Sequence, residues 1–286
     1  MISRSTEVKT LWRNALACLM RCSAKADANR RLSDNAIVFA PHPDDETLGC
    51  GGTIIKKKRA GAEIKIVFMT DGTRSHRHLI SAKELKAKRR SEGLGATQKL
   101  GLGSNDAIFF EFEDGTLLTR HKRATERATE VMQSFRPKEI YIPYLGDSVP
   151  DHVATNRIVL TASKGIDEAL MVNEYPIWFW QHWPWTGMSI TGRREIPRAS
   201  WRSLTSSLRL VTDFRHQVYI GDVLDQKRSA LEAHASQTTR LIPDPRWLTL
   251  GDVSNGEFLA CFFQDFEVFR RYRLKNCNFD TSITTE

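Results

Sequence analysis

Hydrophobic runs alternate with longer amphipathic stretches along most of this chain. The runs that predict buried strands lie at 36–40, 63–70, 106–112, 139–144 and 169–180. The segments that predict helices between them lie at 81–100, 119–135 and 152–164. Strands that alternate with helices favour right-handed crossovers and a mostly parallel sheet covered on both faces. The pattern therefore predicts an α/β fold.

The alternation weakens in the second half of the chain. Residues 181–204 contain two prolines, two glycines and several tryptophans, which predicts an inserted loop or lid. Residues 208–221 look extended, residues 222–236 look helical, and residues 258–274 are apolar enough to close the core. We expect one domain over 35–274, a loosely attached segment over 1–34 and a flexible tail over 275–286.

The N-terminal segment has two possible interpretations. Apolar residues at helical spacing lie beside two arginines, namely Trp12, Leu16, Leu19, Met20, Arg13 and Arg21. Such a helix can lie in a membrane interface, or it can dock on the core of its own domain, which is the more common arrangement. Both interpretations stay open from the sequence.

The charge and the cysteines narrow the possible partners and location. A formal charge of +8 suits an anionic partner such as an acidic membrane face. The basic residues are spread along the chain without a nucleic-acid-binding motif, so no nucleic acid is expected. Five irregularly spaced cysteines do not form a disulfide framework. We therefore predict a cytoplasmic protein, with possible peripheral contact with the inner face of a membrane.

Candidate chemistry begins where the first predicted strand ends, in the stretch APHPDDETLGCGG at 40–52. Acids before a helix commonly cap its first N–H groups, which is one explanation. A nucleotide-binding loop is another, with Asp71 as the ribose acid. It fits poorly, because Ile54 stands where a third glycine belongs and three carboxylates would repel a pyrophosphate.

A metal site explains more of this stretch. His42 and Asp45 are three residues apart and can project to one side of a turn that enters a helix. Asp44 between them points elsewhere and can act as general base. His152 follows the fourth predicted strand and is the natural third ligand. Three protein ligands of these types suit a catalytic zinc ion, which keeps one coordination position open.

The chain resembles the LmbE/PIG-L-like zinc-dependent de-N-acetylases over roughly residues 35–270. The matching segments are PHPDDETLGCGGTI (41–54), TDGTRSH (70–76), RRSEGLGATQKLGL (89–102), EFEDGTL (111–117), PDH (150–152) and AHASQTTRL (233–241). The resemblance implies a Rossmann-like sheet with a zinc site at the carboxyl edge of its strands. It also implies hydrolysis of the acetamide on an N-acetylglucosamine-type sugar of a glycoconjugate, glycolipid or polysaccharide precursor.

The resemblance also assigns roles to individual residues. His42, Asp45 and His152 would bind zinc, and Asp44 would be the general base. Arg74 would contact the substrate, and Asp114 would meet sugar hydroxyls.

One position departs from the family pattern. Members commonly carry a histidine where this chain has Val149, next to the supporting Asp151. Asp147, His76 or a histidine of the 181–204 stretch, such as His182, is a candidate substitute. The departure leaves an alternative open, namely a non-catalytic sugar- or lipid-binding protein of the same fold.

Overall fold

A seven-stranded sheet forms the centre of the molecule. The computed structural model describes residues 4–24, 31–166, 169–187 and 196–274. The strands of the described residues are β1 Ala36–Ala40, β2 Ile64–Thr70, β3 Ala107–Phe112, β4 Glu139–Pro143, β5 Leu170–Tyr175, β6 His216–Tyr219 and β7 Phe266–Leu274. The helices are α1 Arg4–Ser23, α2 Asp45–Arg59, α3 Ala82–Lys99, α4 His121–Phe135, α5 Pro150–Ala162, α6 Ile196–Thr212, α7 Leu224–Glu232, α8 Ala235–Thr238 and α9 Glu257–Ala260.

The strands lie in the order β3-β2-β1-β4-β5-β7-β6. Strands β1 to β5 are parallel, whereas β7 pairs antiparallel with both β5 and β6. The predicted mostly parallel sheet is therefore confirmed. The chain winds outward from β1 in both directions, which puts the switch in strand order between β1 and β4. Sheets of this kind bind ligands at the carboxyl ends of the strands at such a switch.

Helices cover both faces of the sheet. On one face, α4 and α5 pack through small apolar side chains such as Ala128 and Ala154. On the other face, α1, α2, α6 and α7 contribute to a second apolar cluster. Strands β1 and β4 are buried along their whole length, so the residues that follow them start from a rigid position.

Two predicted segments differ from the structure. Helix α6 occupies the end of the predicted 181–204 loop and continues to Thr212, so the extended conformation expected over 208–221 is wrong up to residue 212 and is found only around β6, His216–Tyr219. The segment is rich in serine and arginine, and its apolar positions follow a helical period rather than strand alternation. Residues 188–195 of the predicted loop, and the tail 275–286, lie outside the described residues.

Helix α1 packs one face against the core and exposes the other, so it has features of both interpretations of the N-terminal segment. Leu16 and Met20 are buried in the core, whereas Trp12 and Leu19 are exposed. Within the described residues, every helix is too short or too polar to cross a bilayer.

The glycines of the GCGG stretch lie inside α2 and not in a loop. A Cβ atom on Gly49 would lie 2.4 Å from the ring of Tyr175, and one on Gly52 would lie 2.5 Å from the side chain of Ile220. These residues therefore let α2 approach its neighbours closely. The nucleotide-loop interpretation is wrong, because no loop separates these glycines from the helix.

Candidate metal centre and active site

The predicted metal ligands come together at the carboxyl edge of the two central strands. His42 follows β1 and His152 lies in the first turn of α5, which follows β4. Because β1 and β4 are parallel neighbours, their carboxyl ends meet at one edge of the sheet. Asp45 opens α2 between them.

One carboxylate oxygen lies between the two imidazoles. Asp45 Oδ2 is 3.2 Å from His42 Nδ1 and 3.3 Å from His152 Nε2. The ligand atoms of these three residues all lie within 4.8 Å of one another. His152 is fully buried, and apart from this contact with Asp45, whose geometry is not that of a hydrogen bond, its Nε2 atom has no partner in the structure. An unpartnered buried nitrogen is costly unless it binds something, so this set fits a metal ion.

Asp147 holds the other nitrogen of His152. Its Oδ2 atom is 3.1 Å from His152 Nδ1 and accepts hydrogen bonds from the backbone N–H groups of Ile177 and Trp178. A carboxylate behind a ligating histidine fixes the ring and its tautomer. Burial alone lowers the pKa of His152, but Asp45 and Asp147 outweigh it and raise that pKa to about 9.

Carboxylates also lie behind the ring of His42, on the side away from Asp45. Its Nε2 atom lies 3.3 Å from Asp114 Oδ1 and 3.6 Å from Asp151 Oδ2. Burial lowers the pKa of His42, but hydrogen bonds with Asp114, Asp151 and Asp45 raise it well above its ordinary value. The four carboxylates around the two imidazoles thus favour a positive charge at the centre of the site.

A second group, His42 with Asp114 and Asp151, also meets the distance requirement for a metal ion. Its carboxylates are already used by the backbone, because Gly115 N donates to Asp151 at 2.6 Å and Arg74 N donates to Asp114 at 2.9 Å. We therefore favour the group that contains the unpartnered His152 Nε2. In that arrangement Asp114 and Asp151 orient His42.

Asp44 lies beside the candidate ligands without joining them. It is buried, and its backbone has a φ of 135°, a value that residues other than glycine rarely adopt. Its Oδ2 atom is 3.6 Å from Arg89 Nη1. Burial raises the pKa of Asp44 to about 6, although Arg89 opposes the shift. A strained backbone and a raised carboxyl pKa are both typical of functional sites.

The sequence patterns did not assign roles to the residues that support Asp44. Glu46 accepts a hydrogen bond from Asp44 N at 2.9 Å and lies 2.8 Å from His234 Nε2. Arg89 is buried, and its Nε and Nη1 atoms have no hydrogen-bond partner in the structure. Both Arg89 and His234 occur in segments that carry the family resemblance, which was the available signal. Only the fold shows that both lie near Asp44.

Val149 precedes α5 as its N-terminal cap residue and is half-buried. Two of the candidate substitutes for a histidine there, His76 and Asp147, are engaged elsewhere. His76 Nε2 is 2.9 Å from the carbonyl of Leu248. His182 Nδ1 is 2.7 Å from the carbonyl of Phe179, whereas its Nε2 is buried without a hydrogen-bond partner. Asp147 is occupied by His152, as described above. Asp151 is not without partners, since it binds the backbone of Gly115.

Known proteins share this sequence pattern and fold. The family model for GlcNAc-PI de-N-acetylase (PIG-L) matches residues 37–163. A 1D-myo-inositol 2-acetamido-2-deoxy-alpha-D-glucopyranoside deacetylase of Rhodococcus opacus is 28% identical over 247 residues, covering 74% of this chain and 83% of the relative. A probable N-acetyl-alpha-D-glucosaminyl L-malate deacetylase 2 of Bacillus cereus is 26% identical over 258 residues, covering 85% and 99%.

The structural comparison agrees on the fold. The N,N'-diacetylchitobiose deacetylase of Pyrococcus horikoshii superposes with a TM-score of 0.62 at 19% identity, covering 95% of this chain and 94% of that one. The matched family segment contains the first four strands and both histidines of the candidate metal site. Residues 37–163 thus match the PIG-L (LmbE-like) de-N-acetylase family, and the relatives that match most of the chain are named as deacetylases.

Proposed function

We propose that this chain is a zinc-dependent hydrolase that removes the N-acetyl group from an N-acetylglucosamine-type sugar on a small glycoconjugate or glycolipid. The observation that carries the proposal is the buried, unpartnered Nε2 of His152, which faces Asp45 and His42 next to the strained Asp44. The names of the relatives support the substrate class, since they are deacetylases of glucosamine-containing compounds.

His42, Asp45 and His152 would hold the zinc ion. When bound, zinc supplies Lewis-acid polarisation of an acetamide carbonyl and lowers the pKa of a water ligand toward about 7. Asp44 accepts a proton from the attacking water as the new C–O bond forms at the acetyl carbon. It then returns that proton to the amine as the C–N bond breaks. The products are acetate and the free amino sugar.

Two further residues were expected to contact the sugar. Arg74 is exposed beside Gly115, where its guanidinium can reach a bound substrate. Asp114 has one oxygen on Arg74 N and the other facing His42. We therefore propose Arg74 as a substrate contact and assign Asp114 first to the orientation of His42.

Zinc content and acetate release together test this function. The purified wild type should carry about one zinc ion per chain and release acetate from N-acetylglucosaminides. His42→Ala and His152→Ala should each lose most of the metal and the activity. His121→Ala is the matched control, because His121 lies at the exposed start of α4. Normal zinc content in both ligand variants would contradict the assignment. A zinc-loaded wild type that binds these sugars without releasing acetate would favour the non-catalytic alternative.

We also propose that α1 and α6 contact an acidic membrane surface. Of the twelve large hydrophobic side chains that are exposed in the described residues, four lie in α1 and three in α6. They include Leu11, which is 73% exposed, and the stripe of Trp201, Leu204 and Leu208 on α6. The two helices pack against each other and bury their other faces in one core cluster.

The positive charge of this surface favours an anionic partner. Helix α6 contains three arginines and no acidic residue. Exposed apolar stripes flanked by arginines are typical of helices that lie on anionic lipid surfaces. The partner we propose is therefore a bilayer that contains acidic phospholipids.

Vesicle co-sedimentation tests this contact. The wild type should sediment with vesicles that contain phosphatidylglycerol, more weakly at high salt, and little with pure phosphatidylcholine. Leu204→Ser/Leu208→Ser should reduce sedimentation, whereas Leu241→Ser/Leu248→Ser, which alters exposed leucines outside the two helices, should not. Equal sedimentation of both variants would exclude this surface. A wild-type dimer that dissociates only in the α6 variant would show that a second copy is the partner instead.

A further inference from the structure

A cavity of about 330 Å³ lies between α6 and the loop that carries Asp147. Its lining residues come from α6 and from the turns after β4 and β5, namely Gly146, Ser148, Phe179, Trp201, Arg202, Thr205, Ser206 and Arg209. The volume is at the lower end of the range for small-molecule sites. Gly146 and Ser148 flank Asp147, which holds the candidate zinc ligand His152. The cavity therefore adjoins the loop that supports the proposed active site.

Two arginines give this cavity a positive charge. Arg202 and Arg209 are seven residues apart, so they lie on one side of α6, about 10 Å apart along the helix axis. Thr205 and Ser206 lie between them on the same side and offer hydroxyl groups. The lining contains no acidic residue, and neither guanidinium has a hydrogen-bond or ion-pair partner among the described residues. Because these guanidinium groups have no partner, they can bind a carboxylate or a phosphate through two parallel hydrogen bonds.

We infer that this cavity binds an anionic group, a phosphate or a carboxylate, carried by the aglycone of the acetamido sugar. The inference rests on the proposed function, because it assigns the part of the substrate that does not react. The acetamide would lie at His42, Asp45 and His152 while the anionic group lies against Arg202 and Arg209. Trp201 and Phe179 supply ring faces for the less polar part of the aglycone. The enzyme should therefore prefer charged glycosides over neutral ones.

Steady-state kinetics on matched substrates tests this preference. The substrates are N-acetylglucosamine 1-phosphate, an N-acetylglucosaminide whose aglycone carries a carboxylate, and the neutral methyl N-acetylglucosaminide. Arg202→Gln/Arg209→Gln should lower kcat/KM on the preferred anionic substrate by roughly 10- to 100-fold, mainly through KM, because charge-assisted hydrogen bonds are lost. Its kcat/KM on the methyl glycoside should be unchanged. The two anionic substrates show whether phosphate or carboxylate is the ligand.

Arg198→Gln is the matched control, because Arg198 is exposed on the same helix and does not line the cavity. It should leave both anionic and neutral substrates unaffected. Equal kcat/KM of the wild type on charged and neutral glycosides would overturn the inference. An equal loss on both substrates in the double variant would also overturn it.

Calorimetric binding to the zinc-loaded Asp44→Asn protein separates the cavity from the catalysis. N-acetylglucosamine 1-phosphate should bind this protein more tightly than the methyl glycoside does, and the added Arg202→Gln/Arg209→Gln change should remove that difference. If this holds while the wild type releases no acetate, the cavity assignment stands and the proposed function fails. If the arginine substitutions leave binding unchanged, the cavity assignment fails whatever the activity.

Discussion

Asp44 lies beside two candidate zinc ligands, and its own carboxylate forms an ion pair with Arg89 at 3.6 Å. We expect Asp44→Asn to keep zinc, because His42, Asp45 and His152 are unchanged. Deacetylation should fall by roughly 10²–10⁴, since an amide cannot accept the proton of the attacking water. Metal analysis and acetate release on the same preparation measure the two effects.

Asp45→Asn is the matched comparison, one residue further along the chain. Asp45 Oδ2 lies between both imidazoles, so this variant should lose metal as well as activity. If Asp44→Asn loses zinc and Asp45→Asn retains it, the roles of the two aspartates are reversed.

The family resemblance implies a histidine donor to the reacting carbonyl at the position where this chain has Val149. We expect Val149→His to raise turnover on methyl N-acetylglucosaminide, because His76 and Asp147 are bound to other groups and, of the three candidate substitutes, only His182 keeps a buried nitrogen without a partner. One donor to an oxyanion contributes roughly 10²–10³ in kcat, which sets the upper limit of the gain. Val149→Ala is the control and should give no gain. An unchanged Val149→His enzyme, together with severe loss in His76→Ala or His182→Ala at normal zinc content, would identify a substitute donor.

Sequence reasoning brought the candidate ligands together but not the residues that orient them. His42 and Asp45 are close along the chain, and His152 follows a strand that can be recognised by its apolar run. Asp147 acts on His152 through a turn whose conformation also depends on Ile177 and Trp178, about thirty residues away. Asp114, which was expected to meet the sugar, also faces His42, a contact that the sequence did not suggest. Such contacts depend on tertiary packing that no local pattern encodes.

At the scale of an element, α2 depends on close packing at Gly49. Tyr175 cannot easily move away from an added Cβ atom, because its hydroxyl donates to the carbonyl of Phe39 at 2.7 Å. We expect Gly49→Ala to lower the free energy of unfolding, since overpacking costs about 1–3 kcal/mol and exceeds the helix-propensity gain of about 1 kcal/mol. Denaturant unfolding measures the change.

Gly95→Ala in α3 is the control for this comparison. Its Cβ would meet Ala233 at 3.7 Å, an ordinary contact, so only the propensity gain remains. This variant should be more stable than the wild type by up to about 1 kcal/mol. A Gly49→Ala protein as stable as Gly95→Ala would show that α2 can move away from β5.

The pattern of apolar runs located β1 to β5 well, because buried parallel strands are short and continuously hydrophobic. It located α6 poorly. Buried positions of that helix include Ser203 and Ser206, so its inner face is not marked by large apolar residues. The antiparallel insertion of β7 between β5 and β6 was also beyond the pattern, since strand order depends on pairings between distant segments.

At the scale of the whole molecule, two histidines outside the candidate active site link stability to pH. Burial, assisted by Arg271 and Lys57, lowers the pKa of His216 to about 3. Burial also lowers the pKa of His182 to about 4. His216 Nε2 lies 2.7 Å from Arg271 Nη1, so the neutral ring accepts a hydrogen bond that a protonated ring cannot accept.

The sign of the effect follows from these lowered values. Below about pH 6.5 the unfolded chain binds a proton at each histidine while the folded chain does not. The free energy of unfolding should therefore fall as the pH drops from 6.5 toward 4, by up to about 1.4 kcal/mol per pH unit for each group. Above pH 6.5 neither group should contribute.

His216→Gln isolates one of the two contributions, because glutamine keeps an acceptor for Arg271 but does not titrate. Urea unfolding of the wild type and the variant, at equal zinc content, should give curves whose difference is constant above pH 7. Below pH 6.5 the free energy of unfolding of the variant should rise relative to that of the wild type, by about 3 kcal/mol at pH 4.5. His121→Gln, at an exposed site on α4, should leave the pH dependence of the wild type unchanged.

A His216→Gln curve parallel to that of the wild type down to pH 4.5 would mean that His216 is protonated in the folded state. The buried contact with Arg271 would then have to open in acid, and the edge formed by β6 and β7 would be the first part of the sheet to separate.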